Sequence, residues 1–471
     1  MKRIAIIGGG IAGLAAAYQL ELARQVGAEI DYQLFEASPR FGGSIASSVV
    51  DGSVLEHGPD SFLTEKPAAL QLCRELGLES ELIGSNDVAR KTFILVRNRL
   101  IALPDGLMFL VPTKLIPTAL TRLFSLGTKI RMGLELLHPP RPHTGDESVA
   151  SLVGRHFGQE AIDRLADPLL SGIYGGDATQ LSAQTVLPRL VEMEAEYGSL
   201  TRGMLAGHRK MKAAAAANGS GPRTPRPIFT TLRLGLQQMV EALVDRLESK
   251  SLHLESPVAS VNRTVEGWLV QRNGASEVYD AVILAAPAWV ASDLLGSLDS
   301  DLSKELSQIP YTSSITMNLV YDAVRLGKLP EGFGFLVPAV ENRSLLACTF
   351  VHRKFLGRTA PGKAVIRAFL GGARNEALLT ESDDSLAALV REELRQILGI
   401  TATPELVEVQ RWRRAMAQYA VGHKARQERI QGHLVSLPGL HLVGNAYDGI
   451  GIADCIRLGR QAAKELVASD S

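Results

Sequence analysis

An α/β fold with a parallel nucleotide-binding sheet, assembled from separated pieces of one chain, is predicted by three observations. The first is the opening KRIAIIGGGIAGLAAAYQL. Its apolar run Arg3 to Ile7 reads as a strand, and Gly8, Gly10 and Gly13 form G-x-G-x-x-G before an alanine-rich helix. Such glycines serve a tight turn, close approach of backbone to a pyrophosphate, and close packing of helix on strand. The helix N-terminus adds free N–H groups that favour phosphate. The second is the strand Asp31 to Phe35, which ends at Glu36, 23 residues after Gly13. A carboxylate there accepts the hydroxyls of an adenosine ribose and repels a 2′-phosphate. The third is the far end, LHLVGNAYDGIGIADCIRLGRQAA, a strand from Leu440 to Val443, a glycine turn and a helix. Its four glycines, Gly444, Gly449, Gly451 and Gly459, mark a second turn from strand to helix, like that at the start of the chain.

The frame is therefore Rossmann-like, and the chain between its ends can be divided. ESPVASVNRTVEGWLV reads as a strand hairpin, and DAVILAAPAWV, from Asp280, as a buried strand ending at a proline turn. The expected division assigns 1–85, 227–296 and 425–471 to the nucleotide domain. It assigns 86–226 to a helical insertion and 297–424 to a mixed α+β substrate domain. Between Gly106 and Leu134 the only charges are Lys114, Arg122, Lys129 and Arg131. Residues 105–140 thus read either as an amphipathic helix pair packed on a core or as a membrane-surface patch. Residues 208–227, rich in Ala, Gly and Pro, read as a flexible loop or linker.

Composition narrows the function classes. A chain of 471 residues with 46% hydrophobic content holds two or three domains with ample cores. Zero formal net charge and a pI near 7.2 exclude nucleic acid as the expected partner. The three cysteines, Cys73, Cys348 and Cys455, stand in no C-x-x-C spacing, so neither a structural zinc nor a disulfide framework is expected. Cys455 reads as a small buried apolar residue. The glycine motif begins within ten residues of Met1, and no apolar stretch is long enough to span a bilayer. A cytoplasmic protein is expected, with peripheral contact at the inner face of the cell membrane if 105–140 forms a surface patch. The oligomeric state stays open, a homodimer included.

After Glu36 comes EASPRFGGSI, with Arg40, Gly42 and Gly43. This resembles the R-x-G-G element of the flavoprotein group that includes amine oxidases, carotenoid desaturases and porphyrinogen oxidases. Ser44 stands where that group often has arginine. EHGPDSF (Glu56 to Phe62), SGIYGGD (Ser171 to Asp177), GFGFLVP (Gly332 to Pro338), FLGG (Phe369 to Gly372), QYAVGH (Gln418 to His423) and the closing YDGIGIADCI sharpen the likeness. In order and spacing they resemble the protoporphyrinogen/coproporphyrinogen oxidases of heme synthesis over almost the whole chain. Ala417 departs from the proline usual before Gln-Tyr. Thr92 stands where some members carry a substrate-carboxylate arginine, with Arg90 and Lys91 beside it.

The resemblance implies a Rossmann-like FAD-binding domain of discontinuous segments and non-covalent FAD. It implies cofactor contacts at Gly8, Gly10, Ala12, Gly13, Glu36, Arg40, Gly42, Gly43 and Ser44. Further contacts fall at Gly58, Pro59, Asp60, Ser61, Val258 and Trp412, and at Gly444, Asn445, Gly449, Ile450, Gly451 and Ile452. Thr92, Gly172, Phe333, Leu336 and Phe369 would line a flat porphyrinogen. The implied reaction is hydride transfer from the macrocycle to flavin, with O2 reduced to hydrogen peroxide, in three cycles. No acid or base is assigned; the ten histidines, His57 and His423 among them, read first as structural. Rival expectations are a flavin oxidase of amines or polyenes, and an FAD-containing binding protein without turnover. Amine oxidases usually frame the substrate with paired aromatics, and aromatic content here is only 5%.

Overall fold

The computed structural model describes residues 1–108, 110–141, 145–217, 226–272 and 274–468. Its five-stranded sheet is wholly parallel, in the order Leu252–His253, Ile30–Phe35, Lys2–Ile7, Ala281–Leu284, Leu440–Leu442. The two central strands are unbroken apolar runs: Ile4, Ala5, Ile6, Val282, Ile283 and Leu284 have no exposed surface. That is what a parallel sheet covered on both faces requires. The helix Ile11–Gln25 packs on one face against the terminal helix Ile452–Ala468. Gly459 lets them touch, since a Cβ there would lie 2.1 Å from the Ala12 carbonyl oxygen. The last helix is thus locked to the first. The expected hairpin forms from Val258–Arg263 and Trp268–Arg272, with Ala275–Tyr279 as a third antiparallel strand.

A second sheet has seven strands: Leu406–Ala417, Tyr311–Asp322, Lys363–Gly371, Ala347–Phe350, Gly334–Leu336, Thr92–Val96 and Arg99–Ala102. All neighbours are antiparallel except Gly334–Leu336 with Thr92–Val96. Alternation gives each strand two faces. Ile315, Met317, Leu319, Ile366, Ala368 and Leu370 join a core with Leu386, Val390 and Leu394 of the helix Asp383–Leu398. The alternate residues Thr316, Asn318, Arg367 and Phe369 lie on the opposite face.

Two expectations need correction. Residues 92–102, expected in the helical insertion, are strands of this second sheet. Leu95 enters the sheet's core while Ile94 and Val96 enter the helical core, so only a strand between the two buries both sets. Residues 208–217, expected as linker, continue the helix Leu200–Ala217, because its alanine run favours helix. The rest of that expected linker, 218–225, lies outside the described residues. The helical core gathers Leu152, Val153, Phe157 and Leu165. In segment 105–140, the short helices Leu115–Leu120 and Leu126–Leu134 sit beside buried Leu123, Phe124 and Met132. They leave Ile116, Leu120, Leu126, Ile130, Leu134 and Leu137 more than half exposed. Among the described residues no helix is long and apolar enough to cross a membrane.

Candidate functional site

The first strand delivers its glycine loop to the C-terminal edge of the parallel sheet. Gly8 donates its N–H to the Phe35 carbonyl at 2.8 Å and adopts φ +109°, with room for no Cβ against the Ala285 carbonyl. Gly13 is stricter, because a Cβ there would lie 2.0 Å from the Gly8 oxygen. Gly10, which precedes the helix, is different: a Cβ added to it meets nothing within 4 Å. The loop is packed from behind and open in front, the form a phosphate cradle needs. Ala12 is buried beneath Gly459.

Glu36 closes one side. Its Oε2 accepts the Gly9 N–H at 2.7 Å and its Oε1 the Ser38 N–H at 2.8 Å. Each carboxylate oxygen keeps acceptor capacity for a ribose hydroxyl. The open Gly10 cradle and this oriented carboxylate fit an adenine dinucleotide. Val258, half-buried, starts the hairpin two residues after Ser256, whose N–H binds the Glu36 carbonyl at 2.9 Å.

The R-x-G-G element lies directly on the cradle. Gly42 donates to the Gly9 carbonyl at 2.8 Å, and Gly10 and Gly42 form a parallel bridge. Arg40 bonds the carbonyls of Phe41, Gly43 and Ile45, so its guanidinium shapes the loop from within. Gly43 stands in left-handed backbone against Gly10, and the Ser44 side chain is exposed while its carbonyl is covered by Gly58. Trp412 donates to the His57 carbonyl at 2.7 Å, and Ser61 to Asp60 at 2.6 Å. Pro59 lies between Gly58 and Asp60. The segment 57–61 thereby joins the cradle to the second sheet.

The terminal turn completes the frame. Gly444 and Gly449 take φ +130° and +104°, and the Asn445 amide donates to the Ala415 carbonyl at 2.9 Å. Ile450 and Gly451 lead into Ile452, the first residue of the last helix. In its first turn Asp454 pairs with Lys66 at 2.6 Å. Cys455 is buried, which pushes its thiol up to about 12 and suits a packing role.

Three of the expected substrate residues, Thr92, Leu336 and Phe369, share one face of the second sheet. Phe369 sits opposite Ala347, and Leu336 and Thr92 come from adjoining parallel strands. Gly172, in the helix Asp167–Tyr174, faces Leu336: an added Cβ would stand 3.1 Å from its Cδ2. Phe333 lies just before the strand Gly334–Leu336, is 7% exposed, and its backbone bonds Lys91 and Phe350.

A charged cluster beside Phe369 went unread in the sequence. Arg367 is 2% exposed, stacks over the Phe369 ring at 4.7 Å and donates to the Gly58 carbonyl. Lys354 bonds both Asp60 oxygens at 3.0 and 2.8 Å. Burial alone would raise the Asp60 carboxyl, but Lys354 and Arg367 outweigh it and hold it well below the usual carboxylate range. Behind them, Arg358 and Glu56 form a buried pair at 2.5 Å. The available signal was one arginine inside the apolar strand KAVIRAFLGG. Among the described residues no His/Cys/Asp/Glu group could hold a metal.

The glycine cradle and the second sheet beside it fit a nucleotide-cofactor oxidoreductase, and the family match makes the class a flavoprotein. The chain belongs to the flavin containing amine oxidoreductase family, whose model matches residues 11–467. It is 33% identical to coproporphyrinogen III oxidase of Bacillus subtilis (strain 168), over 98% of this chain and 97% of that one. It is 31% identical to coproporphyrinogen III oxidase of Staphylococcus aureus (strain NCTC 8325 / PS 47), over 99% of each. A solved structure from Exiguobacterium sp. 255-15 matches with a TM-score of 0.87 at 31% identity, covering 99% of both chains.

Proposed function

We propose that this enzyme is an FAD-dependent oxidase that converts a porphyrinogen, coproporphyrinogen III or protoporphyrinogen IX, to its porphyrin. The observation that carries this reading is end-to-end similarity to coproporphyrinogen III oxidases, covering both the cradle and the second sheet. FAD is favoured over a mononucleotide by Glu36, whose carboxylate is held at the cradle by the Gly9 and Ser38 N–H groups with acceptor capacity left for an adenosine ribose. The bound flavin would supply the hydride acceptor and pass electrons to O2. The chain's part is to bind and orient. The Phe369 ring, Leu336 and the bare backbone at Gly172 offer a flat macrocycle an apolar slot. The macrocycle loses six hydrogens in all, so three O2 become three H2O2.

The test is direct. Purified protein is mixed in air with reduced coproporphyrinogen III or protoporphyrinogen IX, and porphyrin fluorescence and peroxide are followed. Three peroxides per porphyrin are expected. If neither porphyrinogen changes while an amine or polyene bleaches the flavin, the substrate assignment is wrong.

The exposed aliphatic residues of 115–137 support a second element, peripheral contact with the anionic inner face of the cell membrane. Lys114, Arg122 and Arg131 are exposed beside them. Apolar insertion with a basic rim suits such a surface. Salt-sensitive binding to anionic liposomes should vanish on charge reversal of Lys114, Arg122 and Lys129, with flavin retained. Failure of the parent to sediment with liposomes at low salt would refute the contact.

A further inference from the structure

We infer that the dipeptide Gln418–Tyr419 is a two-ended strap that sets the gap between the substrate wall and the flavin turn. The inference rests on the porphyrinogen-oxidase reading for its substrate arm only. The two side chains leave the strap in different directions and hold different partners. The Gln418 amide donates to the Tyr174 carbonyl at 2.7 Å and to Thr312 Oγ1 at 3.0 Å. Tyr174 ends the helix that carries Gly172, two residues before it. Two residues on, Gly176 packs against the same amide: a Cβ there would lie 2.2 Å from the Gln418 Oε1. The Tyr419 hydroxyl donates to the Asn445 carbonyl at 3.0 Å and accepts the Gly449 N–H at 3.0 Å. It therefore ties together both ends of the turn before the terminal helix, using its one donor and one acceptor.

The strap is anchored independently of both loads. Gln418 N–H bonds the Pro310 carbonyl at 2.8 Å, Ser182 N–H bonds the Tyr419 carbonyl at 2.8 Å, and Val421 N–H bonds the Gln180 carbonyl at 2.9 Å. The Tyr419 ring is clamped by His423, stacked at 4.3 Å. Gln418 is 7% and Tyr419 3% exposed. A side chain that only filled space would need neither the amide nor the hydroxyl. Both residues are positioning residues: they act through Gly172 and Gly449 rather than on a reacting atom.

The test removes each polar end while keeping shape. Tyr419→Phe should weaken flavin binding to stripped apoprotein about tenfold, the loss of one to two hydrogen bonds. It should also shift the visible flavin spectrum and leave the porphyrinogen KM within about twofold. Gln418→Met should do the reverse: flavin affinity within about twofold, porphyrinogen KM up about tenfold. Gln418→Glu, which loses the N–H donor to the Tyr174 carbonyl and to Thr312 Oγ1 and faces that carbonyl with a carboxylate, should also raise KM. It substitutes for Gln418→Met if that variant fails to fold. Unchanged flavin affinity in Tyr419→Phe overturns the strap, as does movement of both readouts together in either variant. If the parent oxidises no porphyrinogen, the functional reading fails by itself, and flavin affinity in the two single variants still decides the strap.

Discussion

In the cradle, Gly8, Gly10, Gly13, Glu36 and the Gly42–Gly43 pair lie close in sequence and act mostly through backbone. In the proposed slot, Gly172, Leu336, Phe369 and Arg367 come from a helix and two strands, and all but Gly172 would act through side chains. The cradle is therefore specified by what must be absent, a Cβ, and tolerates almost nothing. The slot is specified by apolar volume and should tolerate change in proportion to that volume. The largest expected effect falls on the cradle. Gly13→Ala drives a methyl into the Gly8 carbonyl and should cost about 4 kcal/mol or more of stability. Gly10→Ala, whose methyl meets only open space, should melt within about 1 kcal/mol of the parent and yet lose flavin. Thermal melts and flavin absorbance after gel filtration separate the two. Equal stability of both would erase the distinction between the packed and open sides of the loop.

Glu36→Ala comes next. It removes the acceptor for the Gly9 and Ser38 N–H groups and for the ribose, worth about 1.5–3 kcal/mol of flavin affinity. Apoprotein titration with FAD measures it, and unweakened binding would remove Glu36 from the site. In the slot, Gly172→Val should lower porphyrinogen kcat/KM by about 2 kcal/mol, roughly thirtyfold, with a normal flavin spectrum. Flavin loss in that variant would mean that slot and cradle are one unit. The smallest effect is Phe369→Ala, about 1 kcal/mol, seen in KM more than kcat because the ring contributes binding common to ground and transition states. Steady-state kinetics would contradict this if kcat fell alone.

The cradle was readable because each of its requirements is local. Glycines at fixed spacing, a strand before them and an acid after the next strand announce themselves in one dimension. The slot was readable only in part, and through resemblance. Leu336 and Phe369 share one sheet face and Gly172 packs against Leu336, while Phe333 lies just before the strand, where register does not fix its face. The Thr92–Val96 strand was misplaced for a similar reason. Its apolar residues satisfy a helical neighbour and a sheet neighbour equally well until both are present. Lys354 carried no signal at all, and Asp60, expected at the cofactor, carried none for a cation partner. A buried ion pair joins residues hundreds of positions apart, and neither partner looks unusual alone.

Composition and pattern were enough for the class of fold and the dinucleotide motif, since backbone turns and periodicity are coded by neighbours in the chain; the return of the last strand and helix to the first was read from resemblance. Which residues share a sheet face, that Arg367 sits under Phe369 and what Gln418 and Tyr419 hold were decided only by packing. Two sheets had to meet before Gly58 could receive Arg367, and a loop had to close before Gly449 could reach the Tyr419 hydroxyl. Those contacts are set by the relative placement of whole elements, a quantity that the sum of many weak apolar interactions determines and that no short stretch of sequence contains.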